Sequence, residues 1–138
     1  MSRFVLDASV ALAWVADQNP DPYAQTVLRK VREGARPVVP ALWQLEVANG
    51  LAGVLRRKKL TEEQAEQGAV YLQRFATTSA EIDGHFLGVR EAFVLARELG
   101  LTAYDCVYYE LARREGLPLA TLDKALRAAA RKKGVAAL

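Results

Sequence analysis

Short apolar runs alternate with longer amphipathic stretches along this chain, and that alternation sets the expected order of elements. Phe4-Val5-Leu6 is too short for a helix and stops at Asp7, which predicts a strand, with residues 8–16 following as a helix. Pro20 and Pro22 open a helix to about residue 33, closed by Gly34. Val38-Val39, held between Pro37 and Pro40, predicts a very short strand, and residues 41–59 a long helix. Thr61 with Gln64 three positions on reads as a capping box, opening a helix to about residue 76. Beyond it the pattern predicts a strand at 79–82, a helix at 84–99 stopped by Gly100, and a helix at 102–114 capped by Thr102 and closed by Gly116. A strand at 117–121, a helix at 124–133 and a last strand at 135–138 complete the order.

The connections between strands are far longer than hairpin turns, so the strands are expected to run parallel in an α/β fold. In such a sheet every strand ends on the same edge, and ligands bind at that edge where the strand order reverses. The 138 residues suffice for one domain, 1–138, with its own core and are too few for two. With 51% hydrophobic and 25% charged residues, the composition excludes a disordered, collagen-like or disulfide-stapled chain.

Chemistry enters by elimination. One cysteine, Cys106, and one histidine, His85, cannot close an intrachain disulfide or furnish a four-ligand zinc site. A thiol-hydrolase pairing of the two has no supporting pattern, since they lie in separate amphipathic stretches. No stretch reaches the roughly 18 apolar residues of a membrane span, and Asp7 interrupts the apolar start, which argues against a signal peptide. A cytoplasmic protein with a buried free thiol is the expectation. Carboxylates remain as metal ligands.

Four acids stand in surroundings unlike those of the rest. Asp7 and Asp123 each follow an apolar run, Phe4-Val5-Leu6 and Leu119-Ala120-Thr121-Leu122, so both fall at the same edge of a parallel sheet. Glu46 lies in a helix nearly apolar all round and therefore expected to be buried. Asp105 sits among Tyr104, Cys106, Val107 and Tyr108. Asp7 and Asp123 could equally be helix N-caps, and Asp105 could complete a capping box with Thr102. Glu46, in mid-helix, could instead pair with a buried arginine. Together at one edge the four would repel unless cations held them, and oxygen-only ligation suits Mg²⁺ or Mn²⁺. Ser9 and Thr121 flank the two strand ends, and Asn49 is three residues from Glu46 on the same helix face, where its amide could hold the carboxylate. All three could also be bonding only the local backbone.

The net charge of +3 conceals a segregation. Residues 60–123 carry eleven acids against five bases, whereas 56–59 carry four bases and 124–138 five, with no acid in either. Arg56 and Arg57 at the end of the Glu46 helix are candidate phosphate contacts, and the Arg131-Lys132-Lys133 run is a second, weaker one. Both could be ordinary solvated helix C-termini. The aromatic residues Trp14, Trp43, Tyr71, Phe75, Tyr104, Tyr108 and Tyr109 are expected mainly in the core, with one or more at an interface.

Four motifs in this order, Phe-Val-Leu-Asp7-Ala-Ser, Glu46-Val-Ala-Asn49, Leu-Thr-Ala-Tyr-Asp105 and Leu-Ala-Thr-Leu-Asp123, resemble a PIN domain, more narrowly a VapC-type toxin of prokaryotic toxin–antitoxin pairs. The resemblance implies a three-layer α/β fold, with a central parallel five-stranded sheet of order 3-2-1-4-5 flanked by helices. It implies a Mg²⁺- or Mn²⁺-dependent endoribonuclease in which Asp7 and Asp105 match the principal metal ligands, Glu46 and Asp123 complete the acidic set, and Ser9, Asn49 and Thr121 match supporting polar positions. It further implies a homodimer and a small antitoxin that blocks the acidic site. Two rival readings use the same fold class: an acidic edge that docks a basic protein without catalysis, and a phospho-acceptor domain, for which Asp7 lacks an acidic neighbour.

Overall fold

The structure, a computed structural model, describes residues 2–138. Eleven elements follow one another: β1 (Arg3–Leu6), α1 (Ala8–Ala16), α2 (Pro22–Arg32), β2 (Arg36–Pro40), α3 (Leu42–Arg56), α4 (Glu62–Thr78), β3 (Glu81–Asp83), α5 (Val89–Leu99), α6 (Ala103–Glu115), β4 (Leu119–Ala120) and α7 (Lys124–Lys132). All strand pairings are parallel, in the order β3-β2-β1-β4. Val5 faces Val38 on one side and Leu119 on the other, which makes β1, like β2, an inner strand, and its Phe4, Val5 and Leu6 are buried. The chain leaves β1 towards β2 and comes back to β4 on its other side, so the order reverses beside β1, where a parallel sheet opens a crevice.

Of the expected five strands, four form. The fifth is reduced to one parallel bridge, Leu119 to Ala137, with Leu119 N–H donating to the Ala136 carbonyl and Leu138 N–H to the Leu119 carbonyl. β4 itself is shorter than 117–121, since Pro118 has no N–H to give to a ladder. The helix expected from residue 84 begins at Val89, because Gly84 and Gly88 bracket the segment and favour an extended loop over helix. α3 ends at Arg56 rather than 59. Lys58 adopts a left-handed φ of 57° while its N–H reaches the Leu55 carbonyl and the Lys59 N–H reaches that of Val54, a double closure that stops the helix.

The capping box at Thr61 and Gln64 forms with both bonds, and α2 starts with Asp21 accepting from the Tyr23 N–H ahead of its proline turn. α3 is not buried all round. Trp43, Val47 and Leu51 pack inward, but Leu45 is 76% exposed, because the helix rests on α1 and α4 along one side only. Gly50 sets how closely α3 lies on α1: a Cβ there would stand 2.3 Å from Leu12 Cδ1.

Candidate active site

Asp7 takes over directly from β1, its N–H donating to the Ala120 carbonyl and carrying the β1–β4 ladder to the sheet edge. It is the N-cap residue of α1 by position, yet its side chain makes no capping bond. The carboxylate instead accepts two hydroxyl protons on Oδ2, from Ser9 Oγ at 2.6 Å and from Thr121 Oγ1 at 2.7 Å. Each hydroxyl is itself fixed by the backbone, Ser9 Oγ accepting from Leu122 N–H and Thr121 Oγ1 from Asp123 N–H, both at 3.0 Å. A hydroxyl has a single proton, so accepting these N–H groups leaves that proton for Asp7. Local backbone bonding and support of the acid are thus the same arrangement.

Asp123 does cap α7, its Oδ1 accepting from Leu126 N–H at 3.0 Å. Asp105 makes only half of its expected capping box: its N–H donates to Thr102 Oγ1, but no carboxylate bond returns to Thr102. Glu46 is half-buried and has no arginine. Its Oε1 accepts from the hydroxyl of Tyr108, a fully buried residue of α6, at 2.5 Å. Asn49 does not hold Glu46; it is exposed on α3, while Glu46 is drawn across to α6. Arg56 and Arg57 are exposed at the far end of the same helix.

Electrostatics ties the four acids together. Burial raises the pKa of Asp7 above the ordinary value, opposed by the hydrogen bonds from Ser9 and Thr121 and reinforced by the charge of Asp123. Burial likewise raises Glu46, partly offset by Tyr108, with Asp7 and Asp105 adding repulsion. Asp105 is raised by burial and then by Asp123 and Asp7. Asp7 feels Asp123, Glu46 feels Asp7 and Asp105, and Asp105 feels Asp123 and Asp7, so α3, α6 and the ends of β1 and β4 bring their carboxylates within each other's field. Among the described residues, no three His, Cys, Asp or Glu side chains close in to metal-ligating distance. The donor chemistry nonetheless fits a hard divalent cation: the cluster offers only oxygen, it is mutually repulsive, and among the described residues no lysine or arginine forms an ion pair with any of its four members.

Tyr108 is the residue that sequence reasoning assigned to the core and missed. Its signal was available: it stands three positions after Asp105, hence on the same face of α6, and a buried tyrosine hydroxyl needs a partner. Cys106 is buried, its thiol pushed up by burial and by Asp105, whereas His85 lies in the exposed 84–88 loop, 3.9 Å from Glu110. No thiol–imidazole pair is assembled.

The sequence pattern of the PIN domain family matches residues 4–132. Ribonuclease VapC3 of Pyrobaculum aerophilum is 31% identical over 124 residues, covering 90% of this chain and 92% of that protein. Among solved structures, PAE2754 of Pyrobaculum aerophilum superposes with a TM-score of 0.67 at 24% identity, over 93% of this chain and 84% of that one. FitAcB of Neisseria gonorrhoeae superposes with a TM-score of 0.63 at 17% identity, over 98% and 96% of the two chains. At those identities the two structures speak for the fold.

Proposed function

This chain belongs to the PIN domain family, and on that premise we propose that it is an endoribonuclease, the toxin of a prokaryotic toxin–antitoxin pair, using Mg²⁺ or Mn²⁺. The observation that carries the reading is the convergence of Asp7, Glu46, Asp105 and Asp123 from four separate elements at the sheet's switch point, with Asp7 clamped by two hydroxyls. The name of the relative, a ribonuclease, supplies the substrate class.

Asp7 and Asp105 would hold the principal ion, and Glu46 and Asp123 would hold a second or orient the attacking water. The ion that these residues would hold would supply Lewis-acid chemistry at the phosphoryl oxygen, the attacking water and the leaving oxygen. The protein's own part is orientation. Ser9 and Thr121 favour the ionised form of Asp7 against the effect of burial and fix its oxygen by two bonds. Tyr108 holds Oε1 of Glu46 through its hydroxyl and favours the ionised carboxylate. Asp123 spends one oxygen on Leu126 N–H, which fixes its carboxylate at the start of α7. Asn49 remains a candidate contact to substrate from its exposed position, and Arg56 and Arg57 candidate contacts to more distant phosphates.

A homodimer and an antitoxin belong to the same proposal. Phe86, Val89 and Phe93 are exposed on the 84–88 loop and α5, a helix with no fully buried residue, and such a face favours a protein partner. No helix among the described residues is long and apolar enough to cross a membrane, in keeping with a proposed cytoplasmic site of action. The test is cleavage of total cellular RNA by wild type and Asp105→Asn, with and without Mg²⁺. Internal cleavage by wild type alone, abolished by EDTA, is the expected result. Cleavage that persists in excess EDTA overturns the mechanism, and no cleavage under any condition favours the acidic docking edge.

A further inference from the structure

Two arginines, Arg3 and Arg114, are committed to carboxylates: Arg3 pairs with Glu81 and Glu115, and Arg114 with Asp83 and Glu110. Other cations stand in a row on α7, beside a recess. Lys124, Arg127 and Arg131 recur at intervals of three and four, which places them along one face of the helix, and among the described residues none of them makes an ion pair. That face forms one wall of a recess of about 370 Å³ whose other lining includes Tyr23, Leu122, Ala137 and the terminal Leu138, with Asp21 as its one acidic side chain. Asp21 is already occupied in accepting from the Tyr23 N–H at the start of α2.

The recess is joined to the acidic site through its own residues. Leu122, in its lining, donates its N–H to Ser9 Oγ, the hydroxyl that supports Asp7. Arg127 donates through Nη2 to the carbonyl of Thr121, the other residue on Asp7, and its guanidinium lies over the Tyr23 ring, 5.3 Å from the centroid. A guanidinium has five N–H donors in a planar fork, so this anchoring leaves donors for an oxyanion and gives them a fixed direction. Lys124 is the residue next to Asp123. Arg56, by contrast, is ten residues from Glu46 along α3, about 15 Å of helix.

We propose that the Lys124–Arg127–Arg131 face of α7, with the Tyr23 ring as its floor, is the track that binds the phosphodiester backbone of the RNA strand entering the acidic site. The inference rests on the ribonuclease reading and adds the path of the substrate to it. Lys124 lies next to the cluster, Arg127 is the pre-positioned anion fork, and Arg131 extends the track about one helical turn further. A cationic track beside a repulsive acidic centre also supplies the attraction that the centre lacks.

The test uses a fluorescent single-stranded RNA oligonucleotide, with affinity measured by anisotropy in EDTA across a salt series and cleavage measured separately in Mg²⁺. Lys124 and Arg131 are exposed, so Lys124→Gln with Arg131→Gln leaves the packing intact; circular dichroism and Tm verify this, and single Gln variants serve if the double variant fails to fold. The double variant is expected to weaken RNA binding about tenfold near 0.1 M salt and to flatten the slope of log K against log salt by about 1.4, two phosphate contacts' worth. An unchanged affinity and slope, in a wild type that cleaves RNA, overturns the track while leaving the ribonuclease reading in place. Loss of binding to poly-glutamate with unchanged RNA binding assigns the face to an acidic protein partner and also overturns it. A wild type that binds RNA through this face but never cleaves it supports the track and rejects the nuclease. A wild type that neither binds nor cleaves RNA overturns both.

Discussion

Thr121 Oγ1 donates to Asp7 Oδ2 at 2.7 Å, joining the ends of β4 and β1 across 114 residues of sequence. The same oxygen accepts the Asp123 N–H at 3.0 Å, so a single hydroxyl positions two of the four acids. Thr121 has no exposed surface, and water cannot take its place.

Thr121→Val keeps the shape and removes both bonds. Cleavage is expected to fall about 10- to 100-fold, the usual cost of losing the residue that orients a ligand. Stability is expected to fall by about 1–3 kcal/mol, because a buried N–H and a buried carboxylate lose a partner. Steady-state kinetics beside a denaturant curve checks it; wild-type kcat/KM in the variant would remove the positioning role.

Tyr108→Phe deletes the hydroxyl that Glu46 accepts. That bond favours the ionised carboxylate, so its loss raises the Glu46 pKa further above its ordinary value. The acid limb of the pH–rate profile is therefore expected to move to higher pH, with activity near neutrality down about tenfold. A uniform loss with an unmoved limb would make Tyr108 a packing residue only.

Asp105→Asn is expected to abolish cleavage, by at least about 100-fold, and yet to stabilise the metal-free protein. The repulsion from Asp123 and Asp7 is removed with the charge. A gain of about 1 kcal/mol corresponds to about 3 °C in Tm for a domain of this size. A lower Tm would show that the cluster is not under electrostatic load.

The same load has a pH signature. Asp7, Glu46 and Asp105 bind their protons more tightly folded than unfolded, so their ionisation opposes folding above those raised values. The opposition is relieved as pH falls towards the ordinary values of 3.8 and 4.5. In EDTA, the Tm advantage of Asp105→Asn is thus expected to be full at pH 7 and to shrink towards pH 4. At pH 7, Mn²⁺ at about 100 times its Kd is expected to stabilise wild type by about 2.7 kcal/mol and the variant by less. Equal metal responses would contradict ligation by Asp105.

Arg114 carries the largest ion-pair network, donating to Glu110 on its own helix and to Asp83 at the end of β3. Glu110 is only 8% exposed, so Arg114→Met strands a nearly buried carboxylate. A loss of about 2–3 kcal/mol is expected, below the cost for a fully buried pair because the arginine is partly solvated. Thermal unfolding measures it, and a change under about 0.5 kcal/mol would make the network incidental.

The element order was legible because periodicity, proline and glycine act locally. β1, α1, α2 and the capping box at Thr61 lie within a few residues of their expected bounds. The four acids were legible too, since each interrupts an apolar or aromatic stretch where an unpaired charge is costly. Partners across the fold were not. Asn49 was assigned to Glu46 by helix spacing, but spacing gives only a shared face, and Glu46 instead meets the Tyr108 hydroxyl, which α6 brings from far along the chain. Burial of α3 all round was inferred from composition, which cannot tell how many neighbours a helix has; Leu45 faces solvent. The fifth strand shrank to a bridge because two residues of β4 offer little ladder to pair with. Sequence alone singled out four candidate carboxylates, through short-range pattern and the cost of misplaced charge. Tertiary structure decided which hydroxyl holds which carboxylate and which cations stay unpaired, because those depend on distances between elements far apart in the chain.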